Sequence, residues 1–278
     1  MSELNQVENL IPNESSTQEI IQTALITEDE DIYWDLVYIL QVRGGDEEFT
    51  AASNLCANGN TKDRTLGVNI IAQLGTTKGK FRSRDRGDIL LELLSHEKDA
   101  SVLAAIGYAF GHLQDDRGIL PLIKFKNHID CDVRMGVVFG LSCQEDESAI
   151  QVLIKLSGDV DADVRNWATF GLGSQIAVDT PEIRDALYER IISEIGDDED
   201  DTIAEIRGEA LLGLAIRKDE RVIKPLIAEL ESGCVGKLSV EAALEIGDNR
   251  LYSSLVKLED WWDVDVELLQ AAMAKCGT

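Results

Sequence analysis

The stretch DVRNWATFGLG (163–173) has three counterparts in the chain: DVRMGVVFGLS (132–142), EIRGEALLGLA (205–215) and SVLAAIGYAFG (101–111). Each sets an apolar residue just before the arginine position, follows it with small residues, and places Phe or Leu seven positions on. With Leu103, Arg134, Arg165 and Arg207 as equivalents, the steps are 31, 31 and 42 residues. A second series runs between these copies: DDRGILPLI from Asp115, DESAIQVLI from Asp146, DERVIKPLI from Asp219, and a weaker DNRLYSSLV from Asp248. Its first three members step by 31 and then 73, in register with the first series, so both report a unit of about 31 residues with one insertion of 11. The acidic run 197–201 is expected to lie in that insertion. Two patterns keeping one phase mark an internal repeat, and such repeats decide architecture before any local propensity does.

Both patterns read as helices. The acidic opening of the second series suits a helix N-terminus. Its apolar residues mark one face. A 31-residue helix pair cannot bury that face alone, and stacking the pairs produces one continuous core. Small residues on the other helix (Ala104, Gly107, Gly136, Gly140, Ala168, Gly171, Ala210, Gly213) allow close approach. Glycine in a helix costs about 1 kcal/mol against alanine, and close packing compensates for it. The expected fold is all-α, an α-solenoid of about seven helix pairs forming a single domain over 17–278, with 1–16 as a separate flexible segment. Towards the N-terminus the pattern diverges. RTLGVNIIAQL from Arg64 stands 39 residues before Leu103, so about eight residues are inserted, and TTKGKFRSRDR (76–86), the one basic stretch, fills that space. Residues 31–42 and 47–57 read as another helix pair, 17–26 as a lead-in helix and 264–275 as a closing helix.

The chain has 278 residues, 44% of them hydrophobic, which is enough for a large core. Its 52 acidic and 26 basic residues give a net charge of −26, which repels phosphate backbones and anionic lipid. Neither nucleic acid nor a membrane is expected as partner; a basic protein is the electrostatic complement. The N-terminal sequence has no basic and apolar halves of a secretory signal, and no run approaches a membrane span. The five cysteines are scattered without a Cys-x-x-Cys pair, so reduced, buried thiols in a cytoplasmic protein are expected.

The Asp-x-Asp-Val-Arg openings at 130–134 and 161–165, with the continuation 165–173 and DTPEIRDAL (179–187), resemble bacterial HEAT-repeat proteins of the short-repeat type associated with phycobilin lyases. The similarity spans about 32–258. It implies the solenoid fold, with second helices lining the concave face, and points to protein binding. Proteins of this kind often serve as immunity proteins beside polymorphic toxins. The resemblance also brings three enzyme types to test. Deoxyhypusine hydroxylases need several His-Glu pairs, and only His96-Glu97 is present. HEAT-type DNA glycosylases need a basic groove, which a −26 chain does not suit. No residue singles out a bilin site. Phosphate-binding loops, nucleophile elbows and zinc-protease motifs are missing from the sequence, and the run 197–201 lacks EF-hand spacing. No catalytic residue, metal ligand or cofactor is therefore expected.

His96, His112 and His128 read as surface or capping groups, and Arg134, Arg165 and Arg207 as arginines that pair with acidic residues and stitch adjacent repeats. One feature points outward. Counting from the arginine position, +5 holds Tyr108, Phe139, Phe170 and Leu212. At 100° per residue this position lies about 160° from the centre of the core-facing set −1, +3 and +7. The rings either form a partner-binding stripe or fill the seams between repeats. Asn166 and Trp167 would join such a stripe, and Trp261 and Trp262, in an acidic segment, would supplement it or cap the last core layer. The resulting expectation is a non-enzymatic acidic protein that holds a basic protein, such as a toxin. An assembly scaffold or adaptor is the alternative, and a bilin-lyase-like enzyme a more remote one.

Overall fold

A computed structural model describes residues 15–79, 81–194 and 201–277. Sixteen α-helices and no strands occur among them. In chain order these are α1 (Thr17–Ile26), α2 (Glu30–Arg43), α3 (Asp46–Asn58), α4 (Thr61–Gln73), α5 (Ser83–His96), α6 (Ala100–Leu113), α7 (Ile119–Ile123) and α8 (Cys131–Leu141). They continue with α9 (Glu147–Leu156), α10 (Ala162–Phe170), α11 (Pro181–Ser193), α12 (Asp201–Ile216), α13 (Ile223–Leu230), α14 (Lys237–Ile246), α15 (Tyr252–Leu258) and α16 (Val266–Cys276). Odd-numbered helices are the first, and even-numbered the second, of each pair.

The chain forms two compact units, Met1–Gly140 and Leu141–Thr278. In the first, second helix packs on second helix (α2 on α4, α4 on α6) and first on first (α1 on α3, α3 on α5, α5 on α7). The second unit repeats the rule with α10, α12, α14 and α16 in one row, while α9 meets α11 and α13 meets α15. The all-α array of stacked helix pairs is therefore the one read from the repeat. Among the described residues there are eight pairs rather than about seven. The pairing at the N-terminus also differs from expectation: α2 takes the lead-in helix α1 as its first helix, and α3 packs chiefly on α4. No described helix is long and apolar enough to cross a membrane.

The repeat positions explain the core. At −1 stand Val102, Val133, Val164 and Ile206; at +3, Ile106, Val137, Ala168 and Ala210; at +7, Phe110, Leu141, Leu172 and Leu214. All twelve are at most 1% exposed. Glycine sets the spacing between second helices. A Cβ on Gly136 would stand 2.7 Å from the Ala104 carbonyl oxygen, and one on Gly213 would stand 2.7 Å from the Gly173 Cα. Backbones thus touch directly, and a methyl group there has nowhere to go.

Two sets of arginines hold the layers in register. In the first set, each guanidinium caps carbonyls at the end of the preceding first helix or in the turn after it. Arg64 donates to Gly59 O, Arg134 to His128 O and Ile129 O, Arg165 to Asp159 O and Val160 O, and Arg207 to Ile191 O and Glu194 O. Arg64, Arg165 and Arg207 then reach a glutamate ahead in the chain: Glu97 (2.7 Å), Glu194 (2.8 Å) and Glu229 (3.1 Å). The stitching role is as expected, but the carboxylate partners of these three are glutamates near first-helix ends rather than the aspartates of each opening. The second set starts the first helices. Asp115, Asp219 and Asp248 each accept the backbone N–H two residues on and pair with that residue's own side chain, Arg117, Arg221 or Arg250. Those arginines bridge back to Asp88, Asp185 and Glu220 on the preceding first helix or its N-terminal turn.

Three cations of the basic stretch 76–86 are likewise engaged internally. Lys78 donates to the carbonyls of Arg43 and Gly44, Arg82 pairs with Asp46 and Asp85 and lies over the Phe49 ring, and Arg86 donates to Ile71 O. The 11-residue insertion is divided. Measured from the helix caps, three residues enter before Thr180, which caps α11, and eight after it. Of the acidic run, residues 197–200 lie outside the described residues, as does most of the segment 1–16. All five cysteines are free, but only Cys56 and Cys276 are buried; Cys131, Cys143 and Cys234 are exposed, because their positions fall in turns or at helix ends.

Gly136→Ala is expected to cost about 1–3 kcal/mol in urea unfolding, the usual penalty for overpacking. Gly158→Ala, where the new methyl meets only ordinary contacts, should stay within about 0.5 kcal/mol of the parent. Arginine pairing, Arg117 with Asp115 and Arg221 with Asp219, holds both carboxyls below the usual range. That stabilisation is complete above their unfolded values of about 3.9 and is lost as pH falls through the depressed folded values. Asp219→Asn should therefore flatten the acid limb of stability below about pH 4.

Candidate functional site

The +5 side chains occupy different depths. In the first unit Tyr108 and Phe139 stack with centroids 5.2 Å apart, and the His112 ring meets Phe139 edge-on at 5.3 Å. Phe139 is half-buried over Gly111, where its ring occupies the space a Cβ would take. It fills the seam between α6 and α8, and leaves Tyr108, 37% exposed, on the surface. In the second unit Phe170 is half-buried, and Trp167 stands T-shaped on it at 5.8 Å with 45% of its surface exposed. Leu212 is half-buried on α12. At +5 the side chains therefore differ: Phe139 packs in the seam, whereas Tyr108, like Trp167 at +2, projects to the surface.

Two exposed aromatics on a second helix escape the sequence pattern. Trp34 and Tyr38 lie on α2, Tyr38 being 58% exposed. Tyr38 stands 70 residues before Tyr108, which is two repeat steps once the eight-residue insertion is included, so it belongs to the same +5 series. The divergence of the α2 sequence hid it.

The C-terminal tryptophans separate. Trp261 is about half exposed. Trp262, expected as a binding residue, is 4% exposed and donates its indole N–H to Val235 O at 2.7 Å. It caps the last core layer, so the surface role falls to its neighbour. His128 also caps, accepting from the Asp130 N–H.

Around Trp167 the second-helix face of the second unit is acidic. Asn166 donates from Nδ2 to Glu205 at 2.6 Å, tying α10 to α12, while its Oδ1 is buried without a partner. One turn further on α12, Glu209 is 9% exposed, and Ser174 Oγ donates to it at 3.2 Å. Ser174 reaches it because α10 continues into a wide π-type turn, Gly171–Gln175. Arg217, itself buried, donates to the carbonyls of Leu172, Gly173 and Ile176 and so holds that turn against α12. Burial pushes the Glu209 carboxyl up to about 7, and the charges of Glu205 and Glu241 push the same way. Sequence reading missed Glu209 because its burial depends on the π-type turn, for which the repeat pattern carries no signal.

No protein-family model matches the chain. Protein YibA of Escherichia coli K12 is 35% identical over 97 residues, and the same protein of strain O157:H7 matches equally. That alignment covers 35% of this chain and 31% of YibA, so it spans about a third of either sequence. The X-ray structure of E. coli YibA superposes with a TM-score of 0.72 at 26% identity, covering 98% of this chain and 94% of that one. Human deoxyhypusine hydroxylase in complex with glycerol is far more distant, with a TM-score of 0.36 at 16% identity, and carries no weight for fold or activity. The chain is a HEAT-like helical repeat protein.

Acrylamide, a neutral quencher, should reach Trp34, Trp167 and Trp261 but leave Trp262 emitting at short wavelength. Trp262→Phe should remove that blue component and cost about 1 kcal/mol for the lost hydrogen bond.

Proposed function

We propose that this protein is a non-enzymatic cytoplasmic binding protein that holds a basic protein on its second-helix faces, and that its partner is a toxin it neutralises. The observation that carries this reading is the exposed Trp167 standing on Phe170 of α10, with Asn166 joining that helix to the acidic α12 through Glu205. Trp and Tyr in such settings are the usual anchors of protein interfaces. Tyr108 and Phe139 offer a similar pair in the first unit, and Trp261 a further exposed ring at the C-terminal end.

Charge supports the same conclusion. Among the described residues at least ten arginines are engaged in ion pairs within the fold, including Arg64, Arg117, Arg165 and Arg221. These arginines are spent as staples, and a surplus of carboxylates faces solvent. Such a surface accelerates association with a basic protein, while desolvated aromatics slow its release. Nucleic acid and anionic membrane are disfavoured by the same field.

In a pull-down from the native host, the wild-type chain should capture a basic protein whose toxic activity it blocks, with capture weakening between low and high salt. A Tyr108→Ala/Trp167→Ala variant should retain the helical circular dichroism of the parent and bind at least tenfold more weakly. Salt-insensitive capture, or full binding by the folded variant, would sink the proposal. Capture of a partner without any protective effect would favour an assembly scaffold instead.

A further inference from the structure

Glu209 is placed where a carboxylate is costly and has no structural task that demands one. Its hydrogen-bond donor among the described residues is the Ser174 hydroxyl, which a glutamine oxygen would satisfy equally well. No ion pair among the described residues includes it, and the charges that act on it, Glu205 on the same helix and Glu241 on α14, are both negative. The cations of neighbouring elements are occupied elsewhere. Arg165 on α10 binds Glu194, Lys237 on α14 binds Asp265 at 2.9 Å with Glu241 at 4.0 Å, and Arg217 is held by carbonyls. Removing a charge from water without a counter-ion is expensive, and sites that carry such groups are enriched in function.

The surroundings specify what is missing. Ser174, which holds Glu209, lies one helical turn beyond Phe170 in the continuation of α10, and Trp167 stands on the Phe170 ring; such ring faces attract cations. One turn before Glu209 on α12 is Glu205, held by Asn166, and Glu241 adds its charge from α14. An aromatic shelf beside several carboxylates, one of them already desolvated, fits a guanidinium or ammonium on a flexible stem. We infer that Glu209 is the receptor for a cationic side chain, arginine or lysine, of a partner segment lying across Trp167 and Phe170. This rests on the reading of the second-helix face as a docking surface and adds the residue that reads charge there.

A consequence follows from proton linkage. In the free protein Glu209 is half-protonated near pH 7. A bound cation selects the carboxylate, so binding below that pH releases a proton, and affinity rises with pH through this range. Between pH 6 and pH 8 the ionised fraction grows about tenfold, and affinity should follow. Stability of the free protein should run the other way. A carboxyl raised in the fold above its unfolded value of about 4.3 stabilises at low pH, and that contribution is lost as pH rises to 7.

The test uses the full chain and an acetylated, amidated Arg-Gly-Arg peptide, titrated at pH 6, 7 and 8. The NMR signals of the Trp167 indole N–H and the Glu209 side-chain carbonyl are followed together. Both should shift along one saturating isotherm, with affinity about tenfold higher at pH 8 than at pH 6. E209Q should bind at least tenfold more weakly at pH 8, show no pH dependence, and melt above the parent at that pH. Glu47→Gln, an exposed control on α3, should behave as wild type. A Lys-Gly-Lys peptide separates the two cation types by the ratio of affinities. Affinity unaffected by pH, or E209Q binding like the parent, would overturn the inference. If that occurs while Tyr108→Ala/Trp167→Ala still abolishes partner capture, the docking surface stands and only the role of Glu209 falls.

Discussion

Direct backbone contact between successive second helices is the constraint on which the remaining structure depends. Gly136 against Ala104, and Gly213 against Gly173, leave no room for a side chain between the helices. At that separation the rotation of each helix is set by its neighbour, and only one phase buries −1, +3 and +7 together. The same phase turns position +5 away from the core centre. It also delivers the arginine at position zero to the carbonyls of the preceding first helix. Packing, staples and the outward rings are three results of one geometric fact.

The part of the fold that obeys this rule was legible in the sequence. Residues 101–173 repeat it twice at a spacing of 31, and their core positions are buried without exception. What escaped reading lies where the rule is broken or where a residue's partner is remote in sequence. The α1–α2 pairing was obscured because α2 carries Tyr33 where other copies have arginine or leucine. The fate of Trp262 depends on Val235, 27 residues away, and no local pattern announces that hydrogen bond. The burial of Glu209 depends on the π-type turn 171–175 and on Arg217, which bonds the Gly173 carbonyl from 44 residues further along the chain and is thus invisible to periodicity. Charge was readable only as a total. Its allocation, with many arginines taken up as internal staples, depends on contacts between residues remote in sequence.

That allocation links stability to function. Each arginine that ties two layers lowers the cost of the carboxylates beside it, as at Asp115 and Asp219, and leaves other acids unmatched. Glu209 lies at the extreme of this imbalance, buried and without a counter-ion. A repeat protein gains binding area by adding layers, and this one places aromatic rings and unmatched carboxylates on the same row of helices.

The most direct test of the central claim is amide hydrogen exchange of the full chain, free and bound to the basic protein it captures. Binding through the second helices would slow exchange in α10, α12 and α14 and leave the first helices α9, α11 and α13 unchanged. Protection confined to the first helices would contradict the account.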